Sequence, residues 1–151
     1  MMLVEPAQEA AAVFDRGAPF FRVAAHYRGV FDGDLTIICQ APFLDVLARN
    51  VLGVEDDAAV SDAERWDAAR ELANIISGNF LVEAYGEETI FDLPSFDLKR
   101  CGWEDASAYI QEKMARLHGE TAAVFMADGR PIFVSFDIAA IEYPQRAGGA
   151  E

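Results

Sequence analysis

The stretch from Ser61 to Gly86 constrains the fold more than any other part of the chain. It holds about 24 residues of uninterrupted helical pattern with no proline, long for a globular helix. Ser61 and Glu64 have the spacing of a capping box, in which hydroxyl and carboxylate each bond the other residue's backbone N–H. Asp62 adds a negative charge at the positive end of the helix dipole. At about 100° per residue, Trp66, Ala69, Ala73, Ile76 and Phe80 fall on one side, which reads as a core face. Asp67, Glu71, Asn74 and Gly78 follow one another at spacings of four, three and four, a continuous row on the opposite side.

That row is odd by the standards of helix stability. Asn is a poor helix former, and Gly costs about 1 kcal/mol against Ala. Residues turned away from the core are not there for packing. A carboxylate can engage a partner's cation, an amide offers donor and acceptor atoms, and a residue without a side chain lets another surface come close. On spacing alone, a solvated polar face with a tolerated glycine is the alternative.

The rest of the chain supplies strands and shorter helices. Residues 5–15 are expected to form a short helix, ended by Gly17 and Pro19. Phe20–Phe31 and Asp34–Gln40 read as an antiparallel hairpin turning at Asp32-Gly33. Pro42 suits the first turn of a helix carrying Phe43, Leu44, Leu47 and Val51, with Gly53 as its stop. Beyond Gly86, a strand is expected to start at Thr89–Phe91, with Pro94 interrupting or edging it. Trp103, Ala106, Ile110, Met114 and Leu117 mark a further helix to His118, capped by Gly119. A second hairpin runs Thr121–Met126, Asp128-Gly129, Pro131–Ile138. The expectation is one α+β domain over residues 1–144, a mainly antiparallel sheet with long helices packed on it, and a disordered tail over 145–151.

Charge narrows the function classes. Twelve basic and 26 acidic residues give a formal net charge of -14, which repels nucleic acid and an anionic membrane surface alike. No apolar run approaches a membrane span, and the N-terminus lacks the pattern of a signal peptide, so a cytoplasmic location is expected. Cys39 and Cys101 are read as two buried thiols rather than a disulfide. His26 and His118 have no neighbour at metal-ligand spacing, so no metal site is expected.

The run Asp67-x-x-x-Glu71-x-x-Asn74, continuing Ile75-Ile76-Ser77-Gly78-Asn79, resembles the signature helix of the CheC/CheX/FliY family of chemotaxis phosphatases. A single copy of the motif and the chain's length make it most like CheX. The hairpin Gly29–Gln40 with helix Phe43–Gly53 resembles the region before that helix, Leu93-Pro94 the proline-bearing strand after it, and the closing strands the family's last hairpin. The helix Trp103–His118 has no assigned counterpart. The resemblance implies hydrolysis of the aspartyl phosphate on a phosphorylated response-regulator receiver domain. It implies Asn74 as the residue orienting the attacking water and Glu71 as the partner of a lysine on the regulator. By the same resemblance Asp67 makes a supporting contact. Gly78 is read as a clearance residue, with close packing against another element as the competing reading, and Asn79 and Pro94 are read as structural. No cofactor of the chain's own is implied; Mg2+ is expected in the partner response regulator. A homodimer is implied. Two other classes stay open: a non-catalytic receiver-binding or signalling-assembly module, and a structural domain with no specific site.

Overall fold

A computed structural model of the chain describes residues 2–4, 11–28, 33–53, 55, 59–85, 95–117, 122–127 and 129–138. In chain order it contains β1 (Met2–Val4), one 3-10 turn (Ala11–Val13), β2 (Phe20–Tyr27), β3 (Gly33–Gln40), α1 (Ala41–Val51), α2 (Asp62–Tyr85), β4 (Ser95–Cys101), α3 (Trp103–Leu117), β5 (Ala122–Ala127) and β6 (Arg130–Ile138). The strands make one six-stranded sheet in the order β1-β5-β6-β3-β2-β4. Every neighbouring pair is antiparallel. The expected α+β class is therefore the observed one.

Period-two alternation gives the sheet two different faces. Phe21, Val23, Ala25 and Tyr27 of β2, with Leu35, Ile37 and Cys39 of β3, point to the side covered by α1 and α2. Phe20, Ile38, Val124 and Phe133 point to the other side, where Ala106, Ile110 and Met114 of α3 and Phe14 cover them. α2 meets α1 through a smaller cluster of Ala48, Val60 and Ala68.

Local chemistry sets the helix ends. Pro42 sits in the first turn of α1. At the far end the Leu52 N–H bonds the Ala48 carbonyl at 2.9 Å, and Gly53 follows with φ +75°, where an L side chain is disfavoured. The α2 capping box forms as its spacing predicts: Ser61 N–H donates to Glu64 Oε1 at 2.9 Å, and Glu64 N–H donates to Ser61 Oγ at 3.1 Å. Arg65 then ties the start of α2 to α1 through Asp45 at 2.7 Å, and Arg100 ties it to β4 through Asp62 at 2.6 Å.

Several expectations are corrected. β1 is a strand that the sequence reading missed; it pairs Leu3 with Phe125. Of the helix expected over 5–15, the described part is a single 3-10 turn. The strand after α2 that the structure describes is Ser95–Cys101, paired with β2; Thr89–Phe91 and Pro94 lie outside the described residues, as do Asp32, Gly86, His118, Gly119, Asp128 and the tail. Cys39 is buried and its thiol is pushed up by burial, but Cys101 is only partly buried because β4 is an edge strand. Both thiols are free.

Candidate functional site on helix α2

The seat of α2 on the sheet is made of small residues. Ala69 and Ala73 are fully buried against the face that holds Phe21, Val23 and Leu35. Small side chains let the helix backbone come close to the strands. Trp66 sits at the rim of this seat with its ring 4.9 Å from that of Phe21, edge to face. Leu72 and Ile76 are partly buried against the same cluster. Phe80 was assigned to the same stripe, and its side chain lies outside the described residues.

On the far side of the helix, Asp67, Glu71, Asn74 and Gly78 are all exposed. Asp67 pairs with Arg70 at 2.8 Å, an exposed ion pair of small energetic weight that a partner can rearrange. The side chains of Glu71 and Asn74 have no hydrogen bond or ion pair among the described residues. A carboxylate and a carboxamide therefore stand one turn apart with their bonding capacity unspent.

Gly78 continues the row. A Cβ built there meets no atom within 4 Å among the described residues, so packing among them does not require glycine. The competing reading, close packing against another element of the same chain, finds no support among the described residues. Asn79, read as structural from the sequence, is exposed as well: at helical spacing it falls on the side of Ile75 away from Gly78.

Two features of this helix escaped the sequence reading. Ile75 is 46% exposed and places an apolar shoulder beside Asn74. Ser77 is 2% exposed and hydrogen-bonds Tyr27 of β2. The signals were an apolar residue inside a polar sector and a serine on a core stripe, because buried hydroxyls are almost always partnered.

The other face of the sheet carries a cleft of about 320 Å³ lined by Arg22, His26, Asp34, Tyr109, Lys113 and Asp137 among others. Its polar groups largely answer one another: Lys113 pairs with Asp137 at 2.8 Å, and His26 Nδ1 lies 2.6 Å from Asp34. It includes none of the α2 row. Among the described residues no cluster of three or more His, Cys, Asp or Glu could hold a metal, and no helix is long and apolar enough to cross a membrane.

Two solved structures share this fold. The chemotaxis protein CheX from Desulfovibrio desulfuricans is 16% identical with a TM-score of 0.50, over 90% of this chain and 80% of that one. CheX from Vibrio vulnificus is 15% identical with a TM-score of 0.50, over 91% and 81%. A CheX-CheY-BeF3-Mg2+ complex from Borrelia burgdorferi matches with 19% identity and a TM-score of 0.48, over 89% and 96%. No curated protein sequence matches the chain. Residues 22–100 match the family described as chemotaxis phosphatase CheX. That span starts within β2, ends within β4 and contains the whole of α2. The chain belongs to the chemotaxis phosphatase CheX family.

Proposed function

We propose that the chain hydrolyses the aspartyl phosphate of a phosphorylated response-regulator receiver domain, and that the outward row of α2 is the face that does it. One observation carries this reading: Glu71 and Asn74 are exposed, adjacent on a long helix, and without partners among the described residues. Groups held that way are available to another protein's active site.

The chemistry asks little more. In an acyl phosphate the phosphorus is already activated toward water. Attack forms a bond from water oxygen to phosphorus as the bond to the aspartyl oxygen breaks. The products are the free carboxylate and inorganic phosphate; of the water's two protons one stays on the phosphate and the other passes to solvent. Mg2+ bound by the receiver neutralises charge on the phosphoryl oxygens, so the phosphatase mainly supplies position. Asn74 offers a carbonyl acceptor and two N–H donors to hold that water in line. Glu71 docks a lysine of the receiver through a charge-assisted bond. Asp67 supports that contact at the edge, and Gly78 leaves clearance for the receiver's surface. The location proposed for this activity is the cytoplasm.

The test follows phosphate loss from candidate phosphorylated receivers with Mg2+, with and without the protein. Acceleration supports the reading; binding without acceleration would point to a receiver-binding module instead. In the same assay, Glu71→Ala is expected to raise the half-saturating protein concentration about tenfold, the loss of one charge-assisted bond. An unchanged half-saturation would remove Glu71 from the docking role.

A homodimer is part of the proposal. Among the described residues the sheet ends in β1 on one side and β4 on the other, and open strand edges favour strand-to-strand association. Light scattering on the full chain is expected to give twice the monomer mass. A monomer at micromolar concentration would rule the dimer out.

A further inference from the structure

Asn74 sits at the middle of α2, just past the point where the fully buried apolar contacts with the sheet are made by Ala69 and Ala73, with Leu72 and Ile76 only partly buried beside them; small apolar side chains do little to fix the helix's rotation about its own axis. The start of α2 is fixed by directional contacts: Arg65 to Asp45, Asp62 to Arg100, and the Trp66 edge on Phe21. Further along, among the described residues, one polar contact reaches from the sheet to the helix, the bond between Tyr27 Oη and Ser77 Oγ.

From this we infer that Tyr27 and Ser77 are positioning residues for Asn74, an inference that rests on the phosphatase reading of the α2 row. Ser77 Oγ lies 2.7 Å from the Ala73 carbonyl and 3.3 Å from the Asn74 carbonyl. A serine hydroxyl has one hydrogen to give, and here it goes to the helix carbonyls, chiefly that of Ala73. Ser77 Oγ therefore accepts from Tyr27, whose phenol is the donor. The result is a chain of bonds from the sheet, through two hydroxyls, into the helical turn that bears Asn74.

Tyr27 is itself held. It is 4% exposed, its ring stacks on Phe136 with centroids 6.4 Å apart, and its backbone pairs with Gly33. Burial raises the pKa of its phenol, with the Ser77 bond acting in the opposite direction. The proton thus stays on the phenol at neutral pH, as a donor must keep it.

Geometry sets the scale of the effect. With side chains reaching about 5–6 Å from the helix axis, a roll of about 10° moves a side-chain tip by about 1 Å. A misplacement of that size can cost on the order of 100-fold in rate when catalysis is positional.

The cleanest variant is Tyr27→Phe in the full chain. It keeps the stacked ring and leaves Ser77 donating to Ala73. The maximal rate of phosphate release at saturating phosphorylated receiver is expected to fall about tenfold, with half-saturation within about twofold of wild type. The double variant Tyr27→Phe/Ser77→Ala is expected to fall no further than the slower single variant, since both substitutions break one chain. Amide exchange of residues 74–78, followed by NMR, is expected to become about tenfold faster in Tyr27→Phe. A full maximal rate in Tyr27→Phe beside an active wild type overturns the inference, as does a loss confined to half-saturation. Unchanged exchange overturns it independently of activity. If wild type itself accelerates nothing, it is the phosphatase reading that fails, and the exchange result alone decides whether the tether exists.

Discussion

Asn74→Ala is expected to lower the catalysed loss of phosphate from the receiver by about 100-fold at saturation while receiver binding stays within a few fold of wild type. The side chain is exposed and makes no hydrogen bond among the described residues, so the fold loses nothing with it. Alanine is also the better helix former. A drop in rate therefore cannot be charged to unfolding, and thermal melting of the variant should match or slightly exceed wild type. The split between rate and binding follows from the proposed roles: a group that orients water acts on the transition state, while docking is assigned to Glu71. The measurement is single-turnover phosphate release across a range of protein concentrations. Equal rates for wild type and variant would remove Asn74 from the chemistry.

The largest expected effect on stability belongs to Phe21→Ala, about 3–5 kcal/mol. Phe21 is 1% exposed at the centre of the face under α2. Its ring meets Trp66 edge to face at 4.9 Å and lies under the Arg100 guanidinium at 5.0 Å. Truncation removes the buried ring, leaves a cavity, and strips two partners of their contact at once. In a domain of this size the loss corresponds to a fall in melting temperature of roughly 10 °C. Urea unfolding is the direct measure. A loss below about 1 kcal/mol would show that Trp66 and its neighbours collapse into the space.

Those two residues also mark what was legible in the sequence. The α2 cap, stripe and row were readable because capping and the 3.6-residue period are local; Ser61, Glu64, Ala69 and Ala73 each do what their spacing announces. Gly53 and Gly129 were readable as stops and turns, and both adopt positive φ. Partners far away in sequence were not readable. Tyr27 and Ser77 are 50 residues apart, and no periodicity links them. Ala68 looked like an ordinary helix residue until α1 brought Ala48 to it. β4 does carry a local signal: Phe96 and Leu98 alternate with Asp97 and Lys99, the pattern of a half-buried strand, just beyond Pro94. The Asn74 row was visible as a pattern, whereas its freedom from internal partners became visible only with the fold.

The sheet order has a consequence for how the chain can be divided. Among the described residues, β6 lies between β3 and β5, and β1 joins the rest of the sheet through β5. A fragment ending before Arg130 therefore has no bridge between the two halves of its sheet: β1 and β5 lose their strand partner in the rest of the sheet, and the hydrogen-bonding edge of β3 is left open along Gly33–Ile38. The motif helix and the strands beneath it precede that bridge in the chain, yet the floor they rest on is complete only once β6 has been added. The row on α2 is thus a short local motif whose platform is a property of the whole chain, and it cannot be excised as an autonomous peptide with its platform intact.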